Sequence, residues 1–427
     1  MSNWETIPVN QLVETGEASL QTGPFGTQLK ASEYVSVGIP VINVRNIGYG
    51  HLTNAPVEYV NKQTSERLSV HQLAYGDIVF GRKGAVDRHV LIKKDSEGWI
   101  QGSDCLRLRI QSDRFSNKFI SYYFSTQAHK SWMEAQGSFG ATMSSLNQGI
   151  IKRINIPLFS LDIQKKIAAV LSAYDDLIEN NNRRITLLEK MAEEIYREWF
   201  VRLRFPGHEQ VARHKGIPEK WELIKISDAF EITGGGTPSK KESSYWLEGN
   251  VDWFTPSDIT SASGMILFSS GLQCTKVGLN NSSAKLFPAY SIMMTSRATI
   301  GALGINTTPA CTNQGFITCI PNESYPLEFL FFWLKLNKSY FEMLASGATF
   351  AELSKAVFKK ISVLTPPKAL IREYSDNITP IFKQIEAILR KQTLLQQTRD
   401  RLLPRLISGK LSVEDLDIQF PPNMGID

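Results

Sequence analysis

Basic, amide and hydroxyl side chains recur in matching short loops of the two halves of this 427-residue sequence. Residues 81–85 read GRKGA, and residues 295–299 read TSRAT. A second pair of loops, 101–104 (QGSD) and 312–315 (TNQG), leads in each half into another predicted strand. Side chains of these types donate to and accept from polar or anionic partners. Their spacing defines no catalytic group.

Motifs for catalysis, nucleotide binding and metal binding are missing from the sequence. Glycine-rich runs occur at 23–27 (GPFGT) and 234–238 (GGGTP), but neither has the spacing of a Walker A loop or a dinucleotide fingerprint. There is no HExxH, no GxSxG and no Asn/Asp-Pro-Pro-Tyr/Phe run. The four cysteines form no CxxC pair, and the six histidines are scattered. The sequence therefore predicts a non-catalytic chain with no metal site.

Two long amphipathic segments, 161–203 and 370–411, must position these loops. Apolar residues in both segments are spaced alternately by three and four positions, which is the a/d pattern of a coiled coil. The predicted seam consists of Leu171, Tyr174, Ile178, Ile185, Leu188 and Ile195 in the first segment, and Ile378, Ile381, Ile385, Ile388, Leu395 and Leu402 in the second.

The two segments are copies of one another, because subtracting 207 superimposes their seams (385 − 207 = 178; 402 − 207 = 195). The same offset relates a Gly-Ala-Thr loop at 140–146 to one at 347–353. Short β-type runs with Gly, Pro or Asn boundaries precede these loops in both halves. An aromatic helix is predicted at 119–124 and at 329–334, and we expect it to be core rather than a base-stacking platform.

Composition describes an ordinary globular protein with 42% hydrophobic and 21% charged residues. The net charge of +5 comes from 47 basic and 42 acidic residues and is a weak indication of an anionic partner. The longest aromatic-aliphatic run is too short to span a bilayer, and the amino terminus has no secretory pattern. We therefore expect a cytoplasmic protein with no membrane partner.

Several of these residues resemble a known family. Residues 156–200, which include QKKIAAVLSA and IYREWF, are similar to the central conserved region of type I restriction–modification specificity subunits. Residues 402–411 (LLPRLISGKL) resemble the end of the C-terminal conserved region of that family, and 218–222 resemble the start of its second recognition domain. The resemblance covers the whole chain in order.

The resemblance implies an α+β (mixed α/β) fold with two tandem, pseudo-repeated target recognition domains joined by two long antiparallel coiled-coil helices. The corresponding boundaries are target recognition domain 1 at 1–157, the central helical region at 158–204, target recognition domain 2 at 205–367, the C-terminal helical region at 368–411 and a tail at 412–427.

The resemblance also implies partners. The chain would read a bipartite, asymmetric site on double-stranded DNA and hold two modification subunits, which carry S-adenosylmethionine and methylate adenine. Restriction subunits would add ATP- and Mg-dependent translocation and cleavage, and this chain would need no cofactor. Two pseudo-symmetric copies suit half-sites about one helical turn (roughly 34 Å) apart.

Base and phosphate contacts are expected from loop side chains, with Arg for guanine, Asn or Gln for adenine, and hydroxyl groups for either. The candidates in the first domain are Arg45, Asn46, Arg82, Lys83, Arg88, Gln101, Ser103, Thr142 and Ser144. The candidates in the second domain are Thr255, Ser257, Ser296, Arg297, Asn313, Gln314, Thr349 and Lys355.

Several alternatives remain open from the sequence. The chain could be a coiled-coil scaffold whose flanking domains bind protein, or an enzyme with a degenerate site. Pro380 falls inside the second heptad pattern, so that helix either begins there or kinks there. Asn181, Gln392 and Arg399 fall on the seam, where polar residues fix the register or face a partner or solvent.

Overall fold

The computed structural model describes residues 5–137, 144–346 and 351–418. The chain divides into two compact units. Unit 1 comprises residues 1–178 and 394–427, and unit 2 comprises residues 179–393. Each unit therefore combines one of the two repeated α/β domains with a part of both long helices. No helix in the described ranges is both long enough and apolar enough to cross a membrane.

Unit 1 is built from short strands and helices. Its strands are β1 (Thr6–Pro8), β2 (Ala18–Thr22), β3 (Tyr34–Val35), β4 (Ile39–Ile42), β5 (Tyr49–Gly50), β6 (Glu58–Val60), β7 (Ile78–Gly81), β8 (His89–Leu91), β9 (Ile100–Gln101), β10 (Cys105–Ile110) and β11 (Asn155–Pro157). Its helices are α1 (Val9–Glu14), α2 (Lys62–Arg67), α3 (Asn117–Phe124), α4 (Gln127–Gly137), α5 (Gln148–Lys152) and the first part of α6 (Leu161–Tyr196).

Unit 2 repeats this pattern. Its strands are β12 (Arg213–His214), β13 (Ile217–Pro218), β14 (Glu222–Lys225), β15 (Glu231–Gly234), β16 (Val251–Phe254), β17 (Ile266–Leu267), β18 (Gln273–Cys274), β19 (Ile292–Thr295), β20 (Leu303–Asn306), β21 (Ala310–Thr312), β22 (Phe316–Ile320) and β23 (Ser362–Thr365). Its helices are the rest of α6, α7 (Ile226–Ala229), α8 (Pro256–Thr260), α9 (Lys276–Asn280), α10 (Leu327–Leu336), α11 (Lys338–Leu344), α12 (Lys355–Phe358) and most of α13 (Lys368–Ile407).

Sheet topology confirms the duplication. The main sheet has the order β2-β10-β7-β8-β5 in unit 1 and β15-β22-β19-β20-β17 in unit 2. In both sheets the last pair is parallel and the other pairs are antiparallel. A second sheet repeats a parallel pair, β4 with β9 and β16 with β21. The mixed α/β fold with two pseudo-repeated domains is therefore as predicted.

The aromatic helices belong to the cores of their units, as predicted. Phe119 and Phe124 of α3 are fully buried against the main sheet of unit 1. In α10, Phe329 and Phe332 are fully buried in the core of unit 2. Each such ring removes a large apolar surface from water, which stabilises the core of its unit.

The predicted helical segments form α6 and α13, and the two helices pack antiparallel inside each unit. In unit 2, Gln392 Nε2 donates to Asn182 Oδ1 at 2.8 Å, and the rings of Tyr196 and Tyr374 are 5.8 Å apart. In unit 1, Arg399 Nη1 donates to Asp175 Oδ1 at 2.6 Å. Each predicted seam residue is buried or half-buried. The heptad pattern therefore identified the contact face.

Pro380 lies within α13, which begins at Lys368, so the helix does not begin at the proline. The residue is exposed, and so is Asp376, whose carbonyl would have accepted the missing N–H. Water can solvate that carbonyl, which lowers the cost of an interior proline. Beyond the helix end, Gly409 has a φ of 68°, the left-handed conformation that suits glycine there.

Candidate nucleic-acid interface

The predicted loops of unit 1 meet at one end of its main sheet. Arg82 N donates to Asp104 O (2.8 Å), Gly84 N to Ser144 O (3.0 Å), Leu146 N to Arg82 O (2.7 Å) and Gly102 N to Ile42 O (2.9 Å). These bonds join segments 82–84, 102–104 and 144–146 to the end of β4. We call this group the loop edge of unit 1.

The same bonds recur in unit 2. Ser296 N donates to Gly315 O (2.8 Å), Ala298 N to Ala351 O (3.3 Å), Leu353 N to Ser296 O (3.0 Å) and Asn313 N to Phe254 O (3.1 Å). Segments 296–298, 313–315 and 351–353 therefore form an equivalent loop edge of unit 2. Backbone hydrogen bonds hold the loops in place, so the side chains on these loops can differ between the two units.

A close backbone approach seats the glycine-rich loop of each unit against its loop edge. A Cβ atom on Gly23 would lie 1.9 Å from Gly102 O, and one on Gly235 would lie 1.8 Å from Asn313 O. Only glycine fits at such a separation. The glycine-rich loops are thus part of the edge by packing.

An exposed cation stands at the same place in both loop edges. Lys83 Nζ lies 3.0 Å from Asp104 Oδ1, and Arg297 Nε lies 2.9 Å from Glu352 Oε1. Both cations are more than half exposed, at 57% and 51%. Solvent-exposed ion pairs of this kind contribute little, about 0 to 1 kcal/mol. Either cation can therefore exchange its carboxylate for an anionic or polar partner.

The other candidates at the two edges have mixed surroundings. Arg45 is exposed and lies 3.0 Å from Glu58, and Gln314 accepts from Thr237 Oγ1 at 2.7 Å. The Asn313 side chain accepts from Gly315 N. Thr255 donates from its backbone N and its Oγ1 to the Asp258 carboxylate at the start of α8. The remaining edge candidates are partly or largely exposed: Arg82, Ser103, Ser144, Ser257 and Lys355.

Buried candidates have a structural role in place of the expected base contact. Asn46 is 1% exposed, and its side chain bonds to Asn43 N and to the carbonyls of Ala55 and Pro56. Gln101 is 0% exposed and donates to Gln21 O and Cys105 O. Ser296 is 2% exposed. In these positions the side chains face the core and not a ligand. Thr142 and Thr349 lie outside the described residues.

Arg88 belongs to a separate surface cluster around Tyr49. Its guanidinium is 5.7 Å from the Tyr49 ring centroid, and Lys130 Nζ is 3.8 Å from the same centroid. The Tyr49 hydroxyl donates to Asp87 at 2.6 Å, and this hydrogen bond raises the pKa of Tyr49. Tyr49 and Lys130 were not predicted, because a lone tyrosine and a lone lysine carry no sequence signal.

Catalytic chemistry finds no support in the side chains that the structure describes. Burial raises the pKa of the Cys105 thiol to about 12 and raises the pKa values of Cys274, Cys311 and Cys319. These thiols are neutral and enclosed, which is unlike a reactive cysteine. Within the described ranges, no three His, Cys, Asp or Glu residues are grouped to hold a metal ion.

Comparison with known proteins identifies one domain family in both halves of the chain, in agreement with the two duplicated units. The family model of the type I restriction modification DNA specificity domain matches residues 1–190 and 218–397. The chain belongs to this family and is a type I restriction–modification specificity subunit, which confirms the resemblance seen in the sequence.

The relatives match along most of their length. The MjaIX specificity subunit of Methanocaldococcus jannaschii is 25% identical over 419 residues, which is 96% of this chain and 94% of the relative. The HindI specificity subunit of Haemophilus influenzae is 25% identical over 358 residues, covering 69% and 75%. The S subunit structure from M. genitalium has a TM-score of 0.58 at 17% identity, covers 95% of this chain and 96% of that one, and shows the same fold.

Proposed function

We propose that this chain reads a bipartite DNA site, one half with each unit, and assembles the modification and restriction subunits around it. Double-stranded DNA is the ligand of both loop edges. Two modification subunits supply S-adenosylmethionine-dependent methylation, and restriction subunits supply the ATP- and Mg-dependent steps. The chain itself is non-catalytic. The observation that carries the proposal is a loop edge built twice, each with an exposed cation at the same position.

The chemistry of the loop edges supports DNA as the ligand. Lysine and arginine donate to guanine O6 and N7 or to phosphate, and hydroxyl or amide groups read the other base edges. Lys83 and Ser103 in unit 1, and Arg297 and Gln314 in unit 2, combine these types on exposed loops. Backbone hydrogen bonds fix the loops beforehand, so binding need not order them.

The long helices support the assembly role. Each unit has exposed apolar side chains on these helices, Leu177 and Leu394 in unit 1 and Leu187 and Met191 in unit 2. Such residues offer contact area to further helices. We assign them to contacts with the modification subunits.

Genome-wide adenine methylation tests the proposal. It is measured in cells that express the cognate modification subunit with and without this chain. A split motif that disappears with the chain would identify it as the reader and give both half-sites. If no motif depends on the chain and the assembled complex does not bind DNA, a protein-binding scaffold becomes the better description.

Matched alanine variants test the assignment of the units. Lys83→Ala and Arg297→Ala should each weaken one half-site by about 1 to 3 kcal/mol and leave the other unchanged, because each removes a contact from a single loop edge. Lys94→Ala, which removes an exposed lysine of unit 1 outside its loop edge, is the control. Binding is measured with DNA substituted in one half-site at a time. Equal weakening of both halves by either variant would contradict the assignment.

A further inference from the structure

Two residues at corresponding positions differ between the loop edges. Thr22 ends β2 opposite Leu106, the second residue of β10. Gly234 ends β15 opposite Ile317, the second residue of β22. Thr22 and Gly234 therefore hold the same place in the two main sheets.

Gln148 and Lys355 also hold corresponding positions in the two units, and they contact Thr22 and Gly234. Gln148 opens α5 after Asn147, whose side chain accepts from the helix backbone. Lys355 opens α12 after Ser354, which caps that helix in the same way. The repeat offset relates these residues as well, since 355 − 207 = 148. The strand register thus makes Thr22 and Gly234 equivalent, and the repeat offset makes Gln148 and Lys355 equivalent.

The contact between these positions is a neutral hydrogen bond in unit 1. Gln148 Nε2 donates to Thr22 Oγ1 at 3.1 Å. This bond uses one of the two amide N–H groups and fixes the plane of the amide. Oε1 can then accept from adenine N6–H, and the second N–H can donate to adenine N7, on the major-groove edge of that base.

A cation takes this place in unit 2. A Cβ atom on Gly234 would lie 2.1 Å from Lys355 Nζ and 2.9 Å from its Cε. The lysine side chain therefore lies across the bare backbone of Gly234, and a side chain at position 234 would displace it from there. An ammonium group has three donors and no acceptor, which matches O6 and N7 of guanine and cannot match adenine N6–H.

We infer that this position specifies one base in each half-site, an adenine through Gln148 in unit 1 and a guanine through Lys355 in unit 2. Thr22 and Gly234 are positioning residues, because they orient the amide and admit the lysine. The inference rests on the proposed function, since it assumes that the loop edges contact DNA.

Exchange of the pairs tests the inference in the complete complex with the modification subunit. Thr22→Gly with Gln148→Lys should change one position of the unit 1 half-site from adenine to guanine. Gly234→Thr with Lys355→Gln should cause the reverse change in the other half. One bidentate contact corresponds to a change in preference of about 10- to 100-fold. Binding and methylation are measured on DNA randomised at each position of the site.

Single variants guard against loss of folding. Gln148→Ala keeps Thr22 in its strand and should lose discrimination at the same position without a change in the melting temperature. Gly234→Ala should act only by displacing Lys355, so it should have no effect when Lys355→Ala is already present. Gln111→Lys and Lys360→Gln, exposed residues outside the loop edges, serve as matched controls and should leave both half-sites unchanged.

The outcomes separate the inference from the proposed function. A change at one base position in the predicted half-site supports the inference. If the wild-type complex reads a split site but the exchanged variants read it unchanged, or bind all sequences more weakly by the same factor, the inference is overturned and DNA reading stands. If the wild-type complex reads no site, both are overturned.

Discussion

Strands β10 and β22 occupy the same place in the two main sheets, yet β10 buries Arg107 where β22 buries Thr318. Arg107 is 6% exposed and donates to the carbonyls of Val70 and Gln72. The Thr318 hydroxyl is buried without a hydrogen-bond partner. The two cores therefore support one backbone arrangement with different chemistry.

Histidines extend this difference. His71, His89 and His129 are buried in unit 1, whereas the unit 2 histidines His208 and His214 are partly or fully exposed. The loop-edge hydrogen bonds, by contrast, match bond for bond. The loop edge thus depends on the shared backbone and tolerates replacement of the core residues beneath it.

The largest expected effect comes from removing a core ring in either unit. Phe124→Ala and Phe332→Ala should each cost about 3 to 5 kcal/mol, because both side chains are fully buried. The ring centroids of Phe124 and His129 are 4.6 Å apart, so the Phe124 variant also removes a contact of this histidine. Hydrogen exchange of each unit's peptides measures the loss. A Phe332→Ala defect confined to unit 1 peptides would contradict the division into units.

The next largest effect is expected at low pH, where unit 1 should lose more stability than unit 2. Burial lowers the pKa values of His89 and His129 to about 3, from 6.5 when exposed. Between these values the unfolded chain binds protons that the folded chain does not, so the stability of unit 1 falls as the pH drops below about 6.5. At pH 5 the loss is about 2 kcal/mol for each histidine.

Unit-resolved hydrogen exchange at pH 7 and pH 5, corrected for intrinsic rates, measures this difference. Unit 2 should change less, because the part of it that the structure describes contains no buried histidine. His214→Gln is the control, since an exposed histidine should not alter the profile. Equal acid loss in both units would show that the buried imidazoles of unit 1 do not determine its stability.

The smallest effects are expected on the helix seam. Gln392 in unit 2 is 3% exposed, and its Oε1 has no hydrogen-bond partner. Its Nε2 donates to Asn182, which is exposed and can bond to water instead, so Gln392→Leu should raise stability by about 1 kcal/mol. Arg399 in unit 1 pairs with Asp175, so Arg399→Leu should lower stability by about 1 kcal/mol. Thermal unfolding of the two variants checks the opposite signs; the same sign in both would refute this description of the seam.

The sequence predicted those features that depend on local periodicity. Heptad spacing identified both long helices and their buried face, and the offset of 207 residues identified the duplication. It did not predict which polar loop residues are buried. Gln101 bonds to Gln21 across 80 residues of chain, and no local pattern contains that contact. At Pro380 the sequence left two possibilities open, a helix that begins at the proline or one that kinks there, and the structure excludes the first because α13 begins at Lys368.

The equivalence of Gln148 and Lys355 can be found from the sequence, because the repeat offset aligns the two positions. Residue type alone does not indicate this equivalence, because an amide and an ammonium group have different chemistry. The strand register shows that Thr22 and Gly234 occupy one position of the two main sheets. The hydrogen bond of Gln148 to Thr22 and the close approach of Lys355 to Gly234 bring both side chains to that position.

The contact between Gly23 and the Gly102 carbonyl limits how such a protein can be given a new target. A side chain at Gly23 would push two loops apart that are distant in sequence. Grafting a single foreign loop onto either edge would therefore misplace its neighbours. Retargeting should succeed through side-chain exchange on an intact edge, or through transplantation of a complete recognition domain.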